Sequence, residues 1–156
     1  MEYILMSIRA RYAALILSGQ KTLEIRKTAP KGLRESAEIT VLLYESKREG
    51  GRGAIVGSFL CRNIILVTTM KVDEVCRRAC LSRKELQAYA ERHQRKSGEK
   101  RSTAAPGGKI YAWRVEVPVT FEQPIPLQEV GVSCPPQSYR KLRETQIAIS
   151  GGSPDE

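Results

Sequence analysis

The apolar positions of the chain fall into short runs with two periods. "YILMSI" (3–8) is a brief run rich in β-formers and predicts a buried strand. "ARYAALILSG" (10–19) predicts a helix, with Gly19 placed to end it in a left-handed cap. The period then changes to two: Leu23 and Ile25 fall on one face of a strand over 22–27, and Thr22, Glu24 and Arg26 on the other. "EITVLLYES" (38–46) is the most strongly β segment, and the turn "REGGRG" leads from it into "AIVGSFLCRNIILVTT" (54–69). That stretch is too long for one ordinary strand, so a bend is expected near Arg62 and Asn63.

Residues 71–80 read as helix, and a second helix opens at Ser82, which stands in capping-box spacing with Glu85. Residues 94–109, "QRKSGEKRSTAAPGGK", have no periodicity and read as a long basic loop. "IYAWRVEVPV" (110–119) returns to strand, with Pro118 marking its end or a sheet edge. "FEQPIPLQEVG" is extended, and "PPQSYRKLRE" (135–144) predicts a short helix opened by proline. Residues 1–150 therefore read as one domain and 151–156 as a frayed tail. Several strands with a few short helices, lacking regular βαβ alternation, predict an α+β fold built on a mixed sheet or small barrel.

Charge changes the picture. The 156 residues carry 26 Lys and Arg against 17 Asp and Glu, a formal charge of +9, which favours a polyanionic partner such as nucleic acid. No run approaches the roughly 18 apolar residues of a membrane span, and the start does not read as a secretory signal. The four cysteines (Cys61, Cys76, Cys80, Cys134) are too few for a disulfide scaffold and suit a cytoplasmic protein. Cys76 and Cys80 sit one helical turn apart. With His93 the single imidazole, they do not complete a metal site, so no metal and no cofactor are expected.

The ordered pieces "SIRARYAALILSGQKTLEIRK", "LLYESK", "IVGSF", "IYAWRVE" and "PIPLQEVGVSCPPQSYRKL" resemble the ASCH domain family, a branch of the PUA-like superfamily, in its stand-alone bacterial or phage-borne form. The G-x-K-T-x-E-x-R core is the most specific part. The resemblance implies a twisted mixed β-barrel with short helices packed around it, and a positively charged cleft beside the first helix and the strand that follows. It also implies binding of RNA or other nucleic acid. For some members it implies hydrolysis of RNA or of a modified nucleoside such as N4-acetylcytidine. A protein-interaction module is the third reading, and a monomer is expected.

On that reading Lys21, Thr22, Arg26 and Lys27 would meet nucleic acid. Arg26 offers a planar fork for phosphate and Lys21 a mobile point charge. Glu24 would hold the cations or, with Lys21, carry catalysis. Tyr44 and Ser46 share a strand face, where Tyr44 either stacks a base or caps the core. Trp113 is a core residue or a second stacking surface. Ser138 and Tyr139, after a rigid diproline, either hydrogen-bond a ligand or brace the fold. Lys100 and Arg101 of the basic loop would track phosphates.

In the nucleoside-hydrolysing branch the resemblance implies a Lys, a nucleophilic Thr and a Glu from a later helix. Lys21 matches the first, but the Thr position holds Glu24, and Thr22 lies two residues earlier on the same face. Glu74 and Glu85 are the two candidates for the third.

Overall fold

The alternation read from the sequence becomes the partition of the core. Strand β1 (Glu2–Ile8) sends Ile4, Met6 and Ile8 into one apolar cluster and Leu5 into another. Strand β3 (Ile39–Glu45) does the same, with Ile39, Val41 and Leu43 on one side and Leu42 and Tyr44 on the other. In this computed structural model the described residues are 2–30, 38–97, 109–143 and 146; for 92–97 only the helical backbone is described.

Helix α1 (Ala10–Leu17) follows β1, and β2 (Leu23–Arg26) follows the helix. After β3 come β4 (Ala54–Cys61), β5 (Ile64–Leu66), α2 (Val72–Ala79) and α3 (Arg83–Ser97). Strands β6 (Tyr111–Arg114), β7 (Glu116–Ile125) and β8 (Tyr139–Leu142) complete the chain, with a 3-10 turn at Leu127–Val130. The strands form a five-stranded sheet, β7-β4-β3-β1-β8, and a three-stranded sheet, β2-β6-β5. Only β1 and β3 are parallel in the larger sheet, where the helix-containing crossover makes a hairpin unnecessary. Among the described residues the strands do not close into one barrel, which corrects that detail of the expected α+β fold.

Three apolar layers hold the sheets. The first joins the inner face of the large sheet to α1 and to Trp113, which has no exposed surface. The second packs Leu127, Val130 and Val132 onto its other face. The third buries Leu23 and Ile25 of β2 with Val75 and Ala79 of α2 and Leu86 of α3. Leu23 and Ile25 thus commit one face of β2 to the core, and Glu24 and Arg26 are left on the other.

Four expectations meet corrections or refinements. The predicted strand 110–119 is two strands in different sheets; the chain crosses between them at Val115, whose N–H donates to the Thr22 carbonyl at 3.0 Å. The expected helix at 135–144 is strand β8, paired antiparallel with β1 through Tyr3↔Leu142 and Met6↔Tyr139. The predicted loop 94–109 begins as the last turn of α3, and residues 98–108, with Lys100 and Arg101, lie outside the described residues. Pro118 does not end its strand. It sits in edge strand β7 beside Val117, whose φ is 45°, where the register with β4 slips.

Candidate nucleic-acid interface

Gly19, at φ 85°, turns the chain out of α1, its N–H donating to the Ile16 carbonyl at 3.1 Å. The Lys21 N–H then donates back to Leu15 at 2.9 Å, which fixes where the lysine leaves the backbone. Its side chain runs inward and is 2% exposed. Lys21 Nζ donates to the Ala79 carbonyl at 2.5 Å, at the C-terminal end of α2, where carbonyls lack intrahelical partners and the helix dipole favours a cation. Nζ also stands 3.9 Å from Glu24 Oε2 and 5.0 Å over the Tyr12 ring. Burial pushes the ammonium below the ordinary lysine value, and the Glu24 carboxylate opposes that shift.

Glu24 is the centre of the constellation. Its side chain is 9% exposed and lies between Lys21 and Arg26, with Arg26 Nε 3.2 Å from Oε1. That contact is electrostatic, because Nε is out of hydrogen-bonding alignment. Glu24 Oε2 is buried with no hydrogen-bond partner among the described residues. Arg26 spends the rest of its fork on the scaffold: one terminal nitrogen donates to the Ser7 carbonyl at 2.8 Å and the other reaches Ser138 Oγ at 3.4 Å. It ties β2 to the larger sheet while also bordering the outer cleft.

Two cavities have Glu24 in their walls. The outer cleft, of about 900 Å³, runs from the end of β1 across β2 to the end of β3 and the diproline segment. Arg9, Arg26, Lys27, Lys47 and Arg48 line it, and Glu24 is its one carboxylate among the described residues. Lys47 and Arg48 come from a tight turn after β3. There Glu45 accepts the Arg52 N–H at 2.9 Å, and a Cβ on Gly51 would sit 1.7 Å from the Ser46 carbonyl oxygen. Only glycine permits that closure. The inner pocket, of about 320 Å³, lies between α1 and α3. Lys21, Glu24 and Glu85 line it together with Tyr12 and Tyr89.

The structure brings some predicted residues together and separates others. Lys21 and Glu24 meet in the inner pocket, while Glu24, Arg26, Lys27, Tyr44 and Ser46 border the outer cleft. Tyr44 is 4% exposed and belongs chiefly to the core. Thr22 turns away from both cavities, its Oγ accepting from Arg78 Nε at 3.2 Å. Trp113 is fully buried, with its indole N–H donating to the Thr28 carbonyl at 3.3 Å, and offers no face to a base. Tyr139 packs edge-on against Trp113 at 5.2 Å between ring centres. Ser138 Oγ meets Arg26, so the "PPQSY" segment braces the cleft as well as walling it. Of the two carboxylates left open by sequence, Glu85 faces the inner pocket and Glu74 pairs instead with Arg78 at 3.7 Å.

Sequence reasoning missed Arg9, Tyr12, Lys47, Arg48 and Tyr89. The signal for the first two was the "RARY" start of α1. For Lys47 and Arg48 it was a basic run in a glycine-rich turn.

A PUA-like α+β domain with a basic cleft beside its first helix is the class that fold and site define. The chain matches the ASCH domain family over residues 6–125 and belongs to that family. The ASCH protein of Zymomonas mobilis shares 22% identity with a TM-score of 0.69, covering 95% of this chain and 92% of that one. A tyrosine-to-phenylalanine variant of the same protein gives 24% identity and a TM-score of 0.69, over 96% of this chain and 98% of that one. The N-terminal domain of McrB from Staphylothermus marinus is similar in fold at 11% identity and a TM-score of 0.53, covering 94% of this chain and 91% of that one. No curated protein matches the chain in sequence. No helix among the described residues is long and apolar enough to cross a membrane, and no group of three or more metal-ligating side chains gathers there.

Proposed function

We propose that this ASCH domain binds single-stranded RNA along the outer cleft. The observation that carries the reading is the cleft's charge: Arg9, Lys27, Lys47 and Arg48, from three separate segments, line one groove in which Glu24 is the single carboxylate among the described residues. Cations gathered this way follow a phosphate backbone without reading its sequence. Helix α1 opens on the same groove with Arg9 as its cap and no acidic residue in its first turn, which leaves that end attractive to anions. In this reading Lys100 and Arg101 would contribute further phosphate contacts. Titration of short labelled RNA and DNA at several salt concentrations tests it. Affinity should fall steeply with salt, and reversing Lys100 and Arg101 to Glu should weaken every sequence alike. Absence of binding at low salt overturns the reading.

One observation favours a second reading, RNA hydrolysis: the buried, unpartnered oxygen of Glu24 stands beside an ammonium weakened by burial. In that reaction Glu24 takes the proton of a ribose 2′-hydroxyl as its oxygen attacks phosphorus. The bond to the 5′-oxygen breaks, Lys21 gives that oxygen a proton, and a 2′,3′-cyclic phosphate remains. Glu24→Gln should lower turnover by about 10²–10⁴ while binding changes little. Chromatography of RNA incubated with the wild-type domain decides the point, since intact RNA leaves only binding. N4-acetylcytidine in a parallel incubation should survive, because Glu24 replaces the nucleophilic hydroxyl and Thr22 faces Arg78.

A further inference from the structure

We infer that the inner pocket is a base-reading subsite and that the base it selects is guanine. The inference rests on the outer cleft being an RNA site, and it concerns what lies behind that cleft. The two cavities share Arg9, Tyr12, Glu24, Ile25 and Tyr89, so a strand in the cleft can turn one base inward without leaving its phosphate contacts.

The inner pocket is unsuited to phosphate. Glu24 and Glu85 both line it, its arginines Arg9 and Arg11 stand 3.7 Å from Glu49 and 3.6 Å from Glu85, and Lys21 is already held by the Ala79 carbonyl and faced by Glu24. Its sides are instead aromatic and aliphatic, from Tyr12, Ile25, Leu81, Ala88 and Tyr89. Aromatic and aliphatic surface beside charged groups suits a flat heteroaromatic ring with a polar edge.

The polar end specifies which ring. An ionised carboxylate only accepts hydrogen bonds, and Glu24 Oε2 accepts none from the protein. A buried acceptor left unmade is costly, and a ligand that supplies the donor removes that cost. Lys21 has three N–H donors and uses one on Ala79, so two remain beside the carboxylate. Acceptor and donor stand 3.9 Å apart. Guanine presents the complement: two adjacent N–H donors, N1 and N2, for the carboxylate, and O6 for the ammonium. Adenine and cytosine each bring one amino donor next to a ring acceptor. Uracil flanks its single N–H with two carbonyls that a carboxylate repels.

The test is fluorescence anisotropy of the whole chain with labelled oligouridine carrying one central U, G, A, C or inosine. Central guanosine should bind about tenfold tighter than central uridine, the scale of one good carboxylate-to-base pairing. Inosine, which lacks the N2 amine, should lose part of that gain. Glu24→Gln should bring the guanosine-to-uridine ratio close to one, whatever its effect on the affinity for oligouridine itself. Equal binding of all five oligonucleotides by the wild type overturns the inference without touching the outer cleft. A guanosine preference that survives in folded Glu24→Gln protein does the same. No binding to any oligonucleotide overturns the cleft reading as well. The inosine comparison needs no variant, so a poorly folding Glu24→Gln protein still leaves the inference open to refutation.

Discussion

The outer cleft and the inner pocket share a wall, yet they hold their charges in opposite ways. In the cleft Arg9, Lys47 and Arg48 are exposed, and the Arg9–Glu49 pair, 3.7 Å apart with side chains 51% and 62% exposed, is typical of the rim. In the pocket Lys21 and Glu24 are almost wholly buried. Exposed pairs are worth about 0–1 kcal/mol and are screened by salt. A buried pair recovers the cost of leaving water only while both partners are present. Arg9, Lys47 and Arg48 of the cleft are therefore held only weakly by the fold, whereas Lys21 of the pocket is part of it.

Breaking the buried pair should have the largest effect. Lys21→Met leaves Glu24 facing only Arg26 and should cost about 3 kcal/mol of unfolding free energy in urea. Arg9→Ala should stay within about 0.5 kcal/mol. Equal losses would erase the distinction between the two regions.

Charge reversal in the cleft sharpens the comparison from the other side. Lys47→Glu combined with Arg48→Glu should weaken RNA of every sequence and reduce the salt slope by about two, one per lost phosphate contact. Thermal unfolding should hardly move. A variant that changes base preference instead would mean that the turn reads sequence.

The smallest effect is a titration. Among reductively methylated lysines followed by NMR, Lys21 should titrate below the ordinary 10.5. Glu24→Gln should lower it further, because the carboxylate raises it. The sign for stability follows. Between the lowered folded value and 10.5 the unfolded chain binds more protons at this site, so the site's contribution to stability rises with pH across that interval. An upward shift in Glu24→Gln would show that the carboxylate is not the partner of Lys21.

Much of this was legible in local sequence. The period-two alternation of 22–26 already placed Glu24 and Arg26 opposite Leu23 and Ile25, and Gly19 already ended α1 where Lys21 begins. Ser82 and Glu85 form the expected reciprocal cap, each accepting the other's backbone N–H. Non-local pairing was harder to read. "YRKL" is rich in helix formers, yet β1 offers it a sheet edge, and the ladder overrides propensity. The break between β6 and β7 leaves no mark in "WRVEV", because Val115 is held by Thr22 from a distant segment. The scaffold contacts of Arg26 were hidden for a related reason: its partners Ser7 and Ser138 lie 19 and 112 residues away. Tyr12 and Tyr89 became neighbours of the site only once α1 and α3 were placed.

Edge strand β7 bears on how the domain behaves at high concentration. Val117 and Val119 are 58% and 46% exposed on a strand that is the sheet's edge among the described residues, the arrangement that invites another chain to add a strand. Pro118 between them has no N–H to offer, and the left-handed Val117 slips the ladder at that point. An intruding chain meets a gap in the hydrogen-bond template just where the apolar surface is greatest. Such an irregularity works against strand addition: Pro118→Thr would restore an N–H to the strand, and samples of that variant should aggregate more readily than the parent protein.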